Sequence, residues 1–464
     1  MVPARLRPVL ELTAPLAEAF HDAGHKLYLV GGTVRDAIAG RPGGIESDDF
    51  DIDLTTDALP EEIEQLARPL SSALWDQGRR FGTIGAILSG RRVEITTHRA
   101  DAYEPNSRKP AVAFGDDITE DLARRDFTVN AMALEVSQLE MIDPFGGLDD
   151  LAAHRLRTPI EPETSFSDDP LRMMRAARFI AGYDLEPDEA LLAAVRQMAS
   201  RLEIVSAERL RDELDKLIVL PKPSAGLWFL VESGLAGHFL PELPALSLEQ
   251  DPIHRHKDVL AHTIAVVERT GPDKVLRLAA LLHDVGKPRT RSYGADGVSF
   301  HHHDVVGARM ARERLKALRY PQVEIDEVAR LVELHLRFHT YKMGWTDSAV
   351  RRYAHDAGPL LARLNELTRC DCTTRNPRRA AELAARMDDL ESRLAELREK
   401  EELAALRPEL DGREVMDLLG LEPSPSVGQA MAFLMEIRLN EGLIGKEEVQ
   451  KRLLEWARGR PRAS

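Results

Sequence analysis

Residues Leu29-Val-Gly-Gly-Thr-Val-Arg-Asp36 and Phe50-Asp-Ile-Asp-Leu-Thr55 carry the side chains best suited to chemistry. Asp51 and Asp53 stand two apart, so on a strand both carboxylates point to one face. Two such carboxylates can hold a pair of divalent ions about 4 Å apart, the arrangement used for in-line phosphoryl or nucleotidyl displacement. Upstream, Gly31 and Gly32 let the backbone approach a phosphate, and the short helix they open, which carries Arg35, offers N–H groups to an anion. A triphosphate beside two metal ions is the setting of nucleotidyl transfer.

A second group lies in Ser167-Asp-Asp-Pro-Leu-Arg-Met-Met-Arg-Ala-Ala-Arg-Phe179. Pro170 suits a first helical position, which makes Asp169 a candidate N-cap. Asp169 and Arg172 are also i and i+3, on one helix face, with Arg175 and Arg178 following as further nucleotide-binding candidates. A carboxylate only accepts hydrogen bonds and a guanidinium only donates. Side by side they match an edge with an amino donor next to a ring-nitrogen acceptor, which adenine and cytosine share. One such pair can accept ATP and CTP and reject GTP and UTP without a template.

With further motifs along the chain, these segments resemble the class II tRNA nucleotidyltransferase and poly(A) polymerase family. The resemblance is strongest to bacterial CCA-adding enzymes that carry an HD domain, and it covers nearly the whole chain. It implies addition of C, C and A to tRNA 3′ ends from CTP and ATP, with two Mg²⁺ ions at Asp51 and Asp53. Poly(A) polymerases and enzymes adding only CC or only A share much of this pattern. In Glu120-Asp-Leu-Ala-Arg-Arg-Asp-Phe-Thr-Val-Asn130, the family motif implies that Arg125, Asp126 and Asn130 bind sugar and phosphates. A guanidinium at Arg125 pairs bidentately with phosphate oxygens. Asp143-Pro-Phe-Gly-Gly-Leu-Asp149 resembles the family's hinge, where Gly146 and Gly147 permit the backbone angles a hinge absorbs. Asp168 replaces the glutamate of the family's E-D-x-x-R motif. Glu208 and Arg209 are expected to brace the base-reading helix, or else to be exposed helix charges. Glu94 is a third acid for the site or a solvated edge residue, and Ala100 to Phe114 reads as a mobile loop adjusting the site.

His262, His283-Asp284 and Asp371 follow the H…HD…D order of HD-superfamily phosphohydrolases. Imidazole and carboxylate together suit Mn, Fe, Ni or Mg. His303 and His335 fall where some relatives bind a second metal. The resemblance implies hydrolysis of phosphate monoesters or 2′,3′-cyclic ends, a possible rival as the main activity. Cys370 and Cys372 lack a partner pair at zinc-finger spacing and are expected to be buried packing.

At 464 residues the chain should form about three or four compact units. No apolar run approaches the roughly 18 residues that span a bilayer, and the N-terminus lacks a signal-peptide core. Two closely spaced cysteines cannot build a disulfide framework, so a cytoplasmic location is expected. The net charge of −15 disfavours extended non-specific RNA binding but allows a local basic grip on one RNA end. Candidate basic surfaces are the helix after Pro170, the Arg351-Arg352 pair, Arg375 to Arg379 and Arg458 to Arg462.

Strands are predicted at Lys26–Val30, Asp49–Leu54, Thr83–Leu88, Arg92–Thr97 and Ala131–Glu135, with helices dominating after Asp150. The fold class is therefore α+β: a small mixed-sheet head (1–150), a helical neck (151–240), an HD unit (253–375) and C-terminal helices with a basic tail (376–464). The proline-rich Leu240–Leu246 and Asp251-Pro252 mark the break between the second and third parts.

Overall fold

A computed structural model describes residues 4–40, 52–99, 114–248, 258–294, 297–340, 345–372, 377–401 and 407–458. It divides into two units, Met1–Pro241 and Glu242–Ser464.

The first unit is built on a seven-stranded sheet. Its strands are β1 (Leu27–Val30), β2 (Ile52–Thr56), β3 (Ala73–Trp75), β4 (Thr83–Leu88), β5 (Arg91–Thr97), β6 (Ala133–Glu135) and β7 (Met141–Ile142). The order is β3-β4-β5-β2-β1-β6-β7. Only β2 and β5 run parallel; the other neighbours are antiparallel. All of β1 is buried, as its unbroken Leu-Tyr-Leu-Val run requires of a central strand. In β2 and β5 the period-two pattern sends Ile52, Leu54, Val93 and Ile95 into the core and leaves Asp53 and Glu94 half-buried on the other face. Helix α1 (Arg7–Asp22) packs Leu16, Ala17 and Phe20 on that same core.

The remaining helices of this unit are α2 (Gly32–Ala39), α3 (Pro60–Ala67), α4 (Ile118–Ala123), α5 (Gly147–Ala152), α6 (Pro162–Asp168), α7 (Leu171–Tyr183), α8 (Glu189–Met198), α9 (Ala207–Ile218), α10 (Ser224–Glu232) and α11 (Ala236–Phe239). The mixed-sheet, then helical, architecture is the α+β class expected. Individual bounds differ. Ala131 and Met132 precede β6 because Thr128–Asn130 forms a 3-10 turn. The short edge strands β3 and β7 were not anticipated, nor was a two-stranded pairing of Arg155–Leu156 with Glu186–Pro187. Gly146 takes φ +73°, but Gly147 is helical. A Cβ at Gly147 would lie 2.2 Å from the Thr128 carbonyl oxygen, so close packing rather than backbone freedom demands that glycine.

Among the described residues the second unit is helical apart from a hairpin of Arg291–Gly294 and Gly297–Phe300. Val259–Arg269, Lys274–Leu282, His303–Ala317, Gln322–Leu334 and Leu361–Asp371 carry the histidine-rich motifs. A separate small core of Leu410, Val415, Ala430, Leu434 and Leu453 holds the last three helices together. Among the described residues no helix is long and apolar enough to cross a membrane. Arg351 is buried and Arg352 pairs with Glu436, so this pair is no basic surface. Arg375 and residues 459–462 lie outside the described residues.

Candidate active site

The turn between β1 and α2 places three functional groups together. Gly31 adopts φ +61°, a conformation that penalises any Cβ. A Cβ there would lie 3.1 Å from Arg125 Nη1 and 3.8 Å from Asp53 Oδ2. The Asp53 backbone N–H donates to Thr33 Oγ1 on α2 at 3.1 Å, which ties β2 to the turn. Glu94 sits beside Asp53 in the parallel β2–β5 register. Asp51 lies outside the described residues.

These groups open onto a cavity of about 430 Å³. Gly31, Gly32, Arg35, Asp53, Arg125, Asp126, Asn130, Asp169, Arg172, Arg175, Arg178 and Arg209 line it, together with Arg124, Leu171 and Phe179. Seven guanidiniums against three carboxylates make it a site for a polyanion.

Each arginine is presented by a fixed acceptor. Arg35 is bidentate to Asp36, with Nε and Nη2 at 2.8 and 3.0 Å, and also donates to Asn130 Oδ1. Asp121, fully buried, receives Arg124 Nη2 at 2.8 Å and Arg125 Nη2 at 3.0 Å. Burial opposes the charged form of Asp121, yet Arg125 and Arg124 hold its carboxyl well below the usual range. Arg125 Nε is buried with no hydrogen-bond partner among the described residues. Asp126 is likewise held low against its burial, by Arg175 (Nε 2.7 Å) and by Asn130 Nδ2 (2.9 Å). Buried Glu213 on α9 accepts from Arg178 Nε at 2.8 Å and lies 4.0 Å from Arg175 Nη1.

Asp169 and Arg172 both reach the cavity, but their side chains do not pair with each other in the structure. Asp169 Oδ1 accepts from Leu171 N at 3.1 Å, a capping contact, while Oδ2 accepts from Arg209 Nη2 at 2.7 Å. Arg172 donates from Nη1 to Ser165 Oγ at 2.7 Å and from Nη2 to the Arg124 carbonyl. Arg209 therefore contacts Asp169, which lies just before α7, whereas Glu208 is exposed and no such contact is seen for it among the described residues. Arg124, Phe179, Asp121 and Glu213 were missed from sequence. Asp121 had a readable signal in its i+3 and i+4 spacing to the two arginines. Glu213 had none, since Arg178 lies 35 residues away.

In the second unit, His262, His283, Asp284, His303, His335 and Asp371 converge. His283 Nε2 is 3.2 Å from Asp284 Oδ2 and 3.5 Å from Asp371 Oδ1; His262 Nε2 is 2.9 Å from Asp371 Oδ1. On the other side, His303 Nε2 is 3.4 Å from Asp284 Oδ1. The Nδ1 atoms of His283, His303 and His335 donate to the carbonyls of Ala280, Phe300 and Val332 at 2.7, 2.8 and 2.6 Å. That fixes each ring with Nε2 inward. These three Nε2 atoms are buried without a hydrogen-bond partner among the described residues, and burial pushes His335 down to about 4, keeping it a neutral donor. Two sets, His262-His283-Asp284 and Asp284-His303-His335, each bring their ligand atoms within 4.8 Å of one another. Imidazole and carboxylate donors of this kind fit divalent transition metals. Cys370 and Cys372 are half-buried rather than buried, and burial pushes both thiols up to about 11.

Three family models match in chain order: the poly A polymerase head domain over residues 27–157, the probable RNA and SrmB-binding site of polymerase A over 184–246, and the HD domain over 258–397. The chain is 37% identical to the A-adding tRNA nucleotidyltransferase of Deinococcus radiodurans, over 74% of this chain and 80% of that one. It is 32% identical to the CC-adding tRNA nucleotidyltransferase of Thermus thermophilus, over 93% and 94%. A CCA-adding enzyme of Limosilactobacillus reuteri is 37% identical over 50% and 55%. Among solved structures, the CCA-adding enzyme of Bacillus stearothermophilus in complex with CTP shares the fold, with a TM-score of 0.70, 24% identity and 98% coverage of both chains. On these matches the chain belongs to the tRNA nucleotidyltransferase and poly(A) polymerase family, in its bacterial HD-domain-containing branch.

Proposed function

We propose that the chain is a template-independent nucleotidyltransferase that adds C, C and A to tRNA 3′ ends from CTP and ATP. The observation that carries this reading is the shared cavity, in which the Gly31 turn, Asp53 and Arg125 face the same space as Asp169 and Arg172. Arg125, Arg175 and Arg178 hold the triphosphate, with Asp126 and Asn130 beside them for the sugar. Asp169 and Arg172 offer the acceptor and the donor that the edges of adenine and cytosine need. The RNA 3′ oxygen attacks the α-phosphorus, a P–O bond forms, the α–β bridging bond breaks and pyrophosphate leaves in line. The carboxylates of Asp51 and Asp53 would hold divalent ions, which would supply a lowered pKa for the 3′-OH and charge neutralisation on the leaving group. Oxygen ligands suit Mg²⁺ here, and Glu94 beside Asp53 adds to that donor set.

A second reading has its own support: two relatives, matched over 74% and 93% of this chain, are named an A-adding and a CC-adding tRNA nucleotidyltransferase. One assay separates the possibilities. A tRNA lacking its end is incubated with CTP and ATP together and the product is sequenced. CCA ends support full addition; CC ends, an A tract, or a single A added only when a CC-ended tRNA is supplied in a parallel reaction assign the chain to a partial adder or a poly(A) polymerase.

For the second unit we propose a divalent-metal centre, to which Asp284 would contribute beside both histidine sets, with phosphate-ester hydrolysis as a separate activity. His262, His283 and Asp371 would hold one ion, and His303 and His335 the other. The functional division we propose along the chain remains head (1–150), neck (151–240), HD unit (253–375) and C-terminal helices (376–464).

A further inference from the structure

Tyr183 closes α7, the helix whose Arg172, Arg175 and Arg178 line the cavity. Its hydroxyl donates to Asp36 Oδ1 on α2 at 2.8 Å, across 147 residues of sequence. The same Asp36 carboxylate holds Nε and Nη2 of Arg35. Arg35 lies with its guanidinium carbon 4.2 Å from the Tyr183 ring centroid and 5.1 Å from that of Phe179, and these two rings are stacked at 5.3 Å. The aromatic pair fixes the plane of the guanidinium; Asp36 and Asn130 fix its rotation within that plane. A guanidinium carries five N–H donors, and the bonds to Asp36 and Asn130 use three. Arg35 lines the cavity beside Gly32, where a Cβ would lie 3.4 Å from its Nη2.

We infer that Tyr183 is a positioning residue for nucleotide binding: its hydroxyl pins Asp36, and Asp36 and the Tyr183 ring together present Arg35 to the triphosphate. The inference rests on the nucleotidyl-transfer reading of this cavity. Without the hydroxyl, Asp36 is released to swing across the outer edge of Arg35, where it competes with phosphate oxygens for the same donors. The contact also ties the far end of the base-reading helix to the helix that opens the phosphate turn. A fault at Tyr183 is therefore felt equally by CTP and ATP, since both present the same phosphates.

Tyr183→Phe keeps the stacked ring and deletes only the hydroxyl; Tyr183→Leu deletes both. The test measures KM and kcat for CTP and for ATP with a tRNA acceptor, equilibrium CTP binding without tRNA, and thermal midpoints. For Tyr183→Phe the KM of both nucleotides should rise about five- to tenfold, the size of one ordinary hydrogen bond because the loss reaches the phosphates only through Asp36 and Arg35, with kcat within about twofold. Tyr183→Leu should raise KM further. CTP affinity equal to wild type in Tyr183→Phe overturns the inference, as does a lowered thermal midpoint with unchanged KM, the signature of a merely structural contact. Failure of the wild type itself to extend tRNA strikes the parent reading instead.

Discussion

Asp169 is engaged by Arg209 of α9, at 2.7 Å, and not by the side chain of Arg172, three residues on. The acceptor and the donor proposed to read the base are thus anchored separately: Asp169 from Arg209 and Leu171 N, Arg172 from Ser165 and the Arg124 carbonyl. Arg209→Ala should loosen the Asp169 carboxylate while leaving Arg172 in place. Discrimination of CTP and ATP against UTP and GTP should fall about tenfold, the effect of one misplaced hydrogen bond. The pair is substantially exposed, so stability should change by less than about 1 kcal/mol. Relative kcat/KM values for the four nucleotides check this. Asp169→Ala should go further, losing CTP and ATP use together or relaxing selectivity; unchanged kinetics with all four would show Asp169 to be only a cap.

Asp121 bears on folding as well as binding. Removing a fully buried carboxylate leaves Arg124 and Arg125 without their shared partner, and both are only partly exposed. Asp121→Ala should destabilise the first unit by about 2–3 kcal/mol and raise KM for both nucleotides, measured by urea unfolding and steady-state kinetics.

The same carboxyl gives a pH prediction. Its folded-state pKa is depressed, so its stabilisation is present above the unfolded-state value of about 3.9 and is lost as pH falls through the folded one. The thermal midpoint of the wild type should therefore fall more steeply below about pH 4 than that of Asp121→Asn. Parallel pH profiles would show that Asp121 gains no net stabilisation from its arginines.

The second unit should carry two divalent ions per chain by elemental analysis after purification without chelator. His303→Ala should retain one, because His262, His283 and Asp371 remain intact on the far side of Asp284. Nucleotide addition in Mg²⁺ should be unchanged in that variant. Equal metal content in wild type and His303→Ala would contradict the second ion.

What was legible in the sequence was what local periodicity encodes. Alternation in β2 and β5 exposed Asp53 and Glu94 against a buried set, and the Gly31-Gly32 turn announced itself by composition. Pro170 and the arginine spacing placed α7 to within a residue or two. The strands that escaped, β3 and β7, are three and two residues long, too short for a pattern. The acids behind the arginines escaped for another reason. Asp36 meets Tyr183 across 147 residues and Glu213 meets Arg178 across 35, so only the folded chain brings them together. The Arg351-Arg352 motif misled because a charge pair in sequence says nothing of which member a helix buries.

The most direct measurement of the central claim is nucleotide incorporation by purified, folded Asp53→Ala, with CTP and ATP on a tRNA lacking its 3′ end. Asp53 lies with Arg125 against the Gly31 turn, where the proposed reaction puts the phosphate. Incorporation should drop by at least about a thousandfold, the loss of several kcal/mol of transition-state stabilisation, while CTP still binds. Full incorporation by Asp53→Ala would contradict the assignment of this cavity as the site of nucleotidyl transfer.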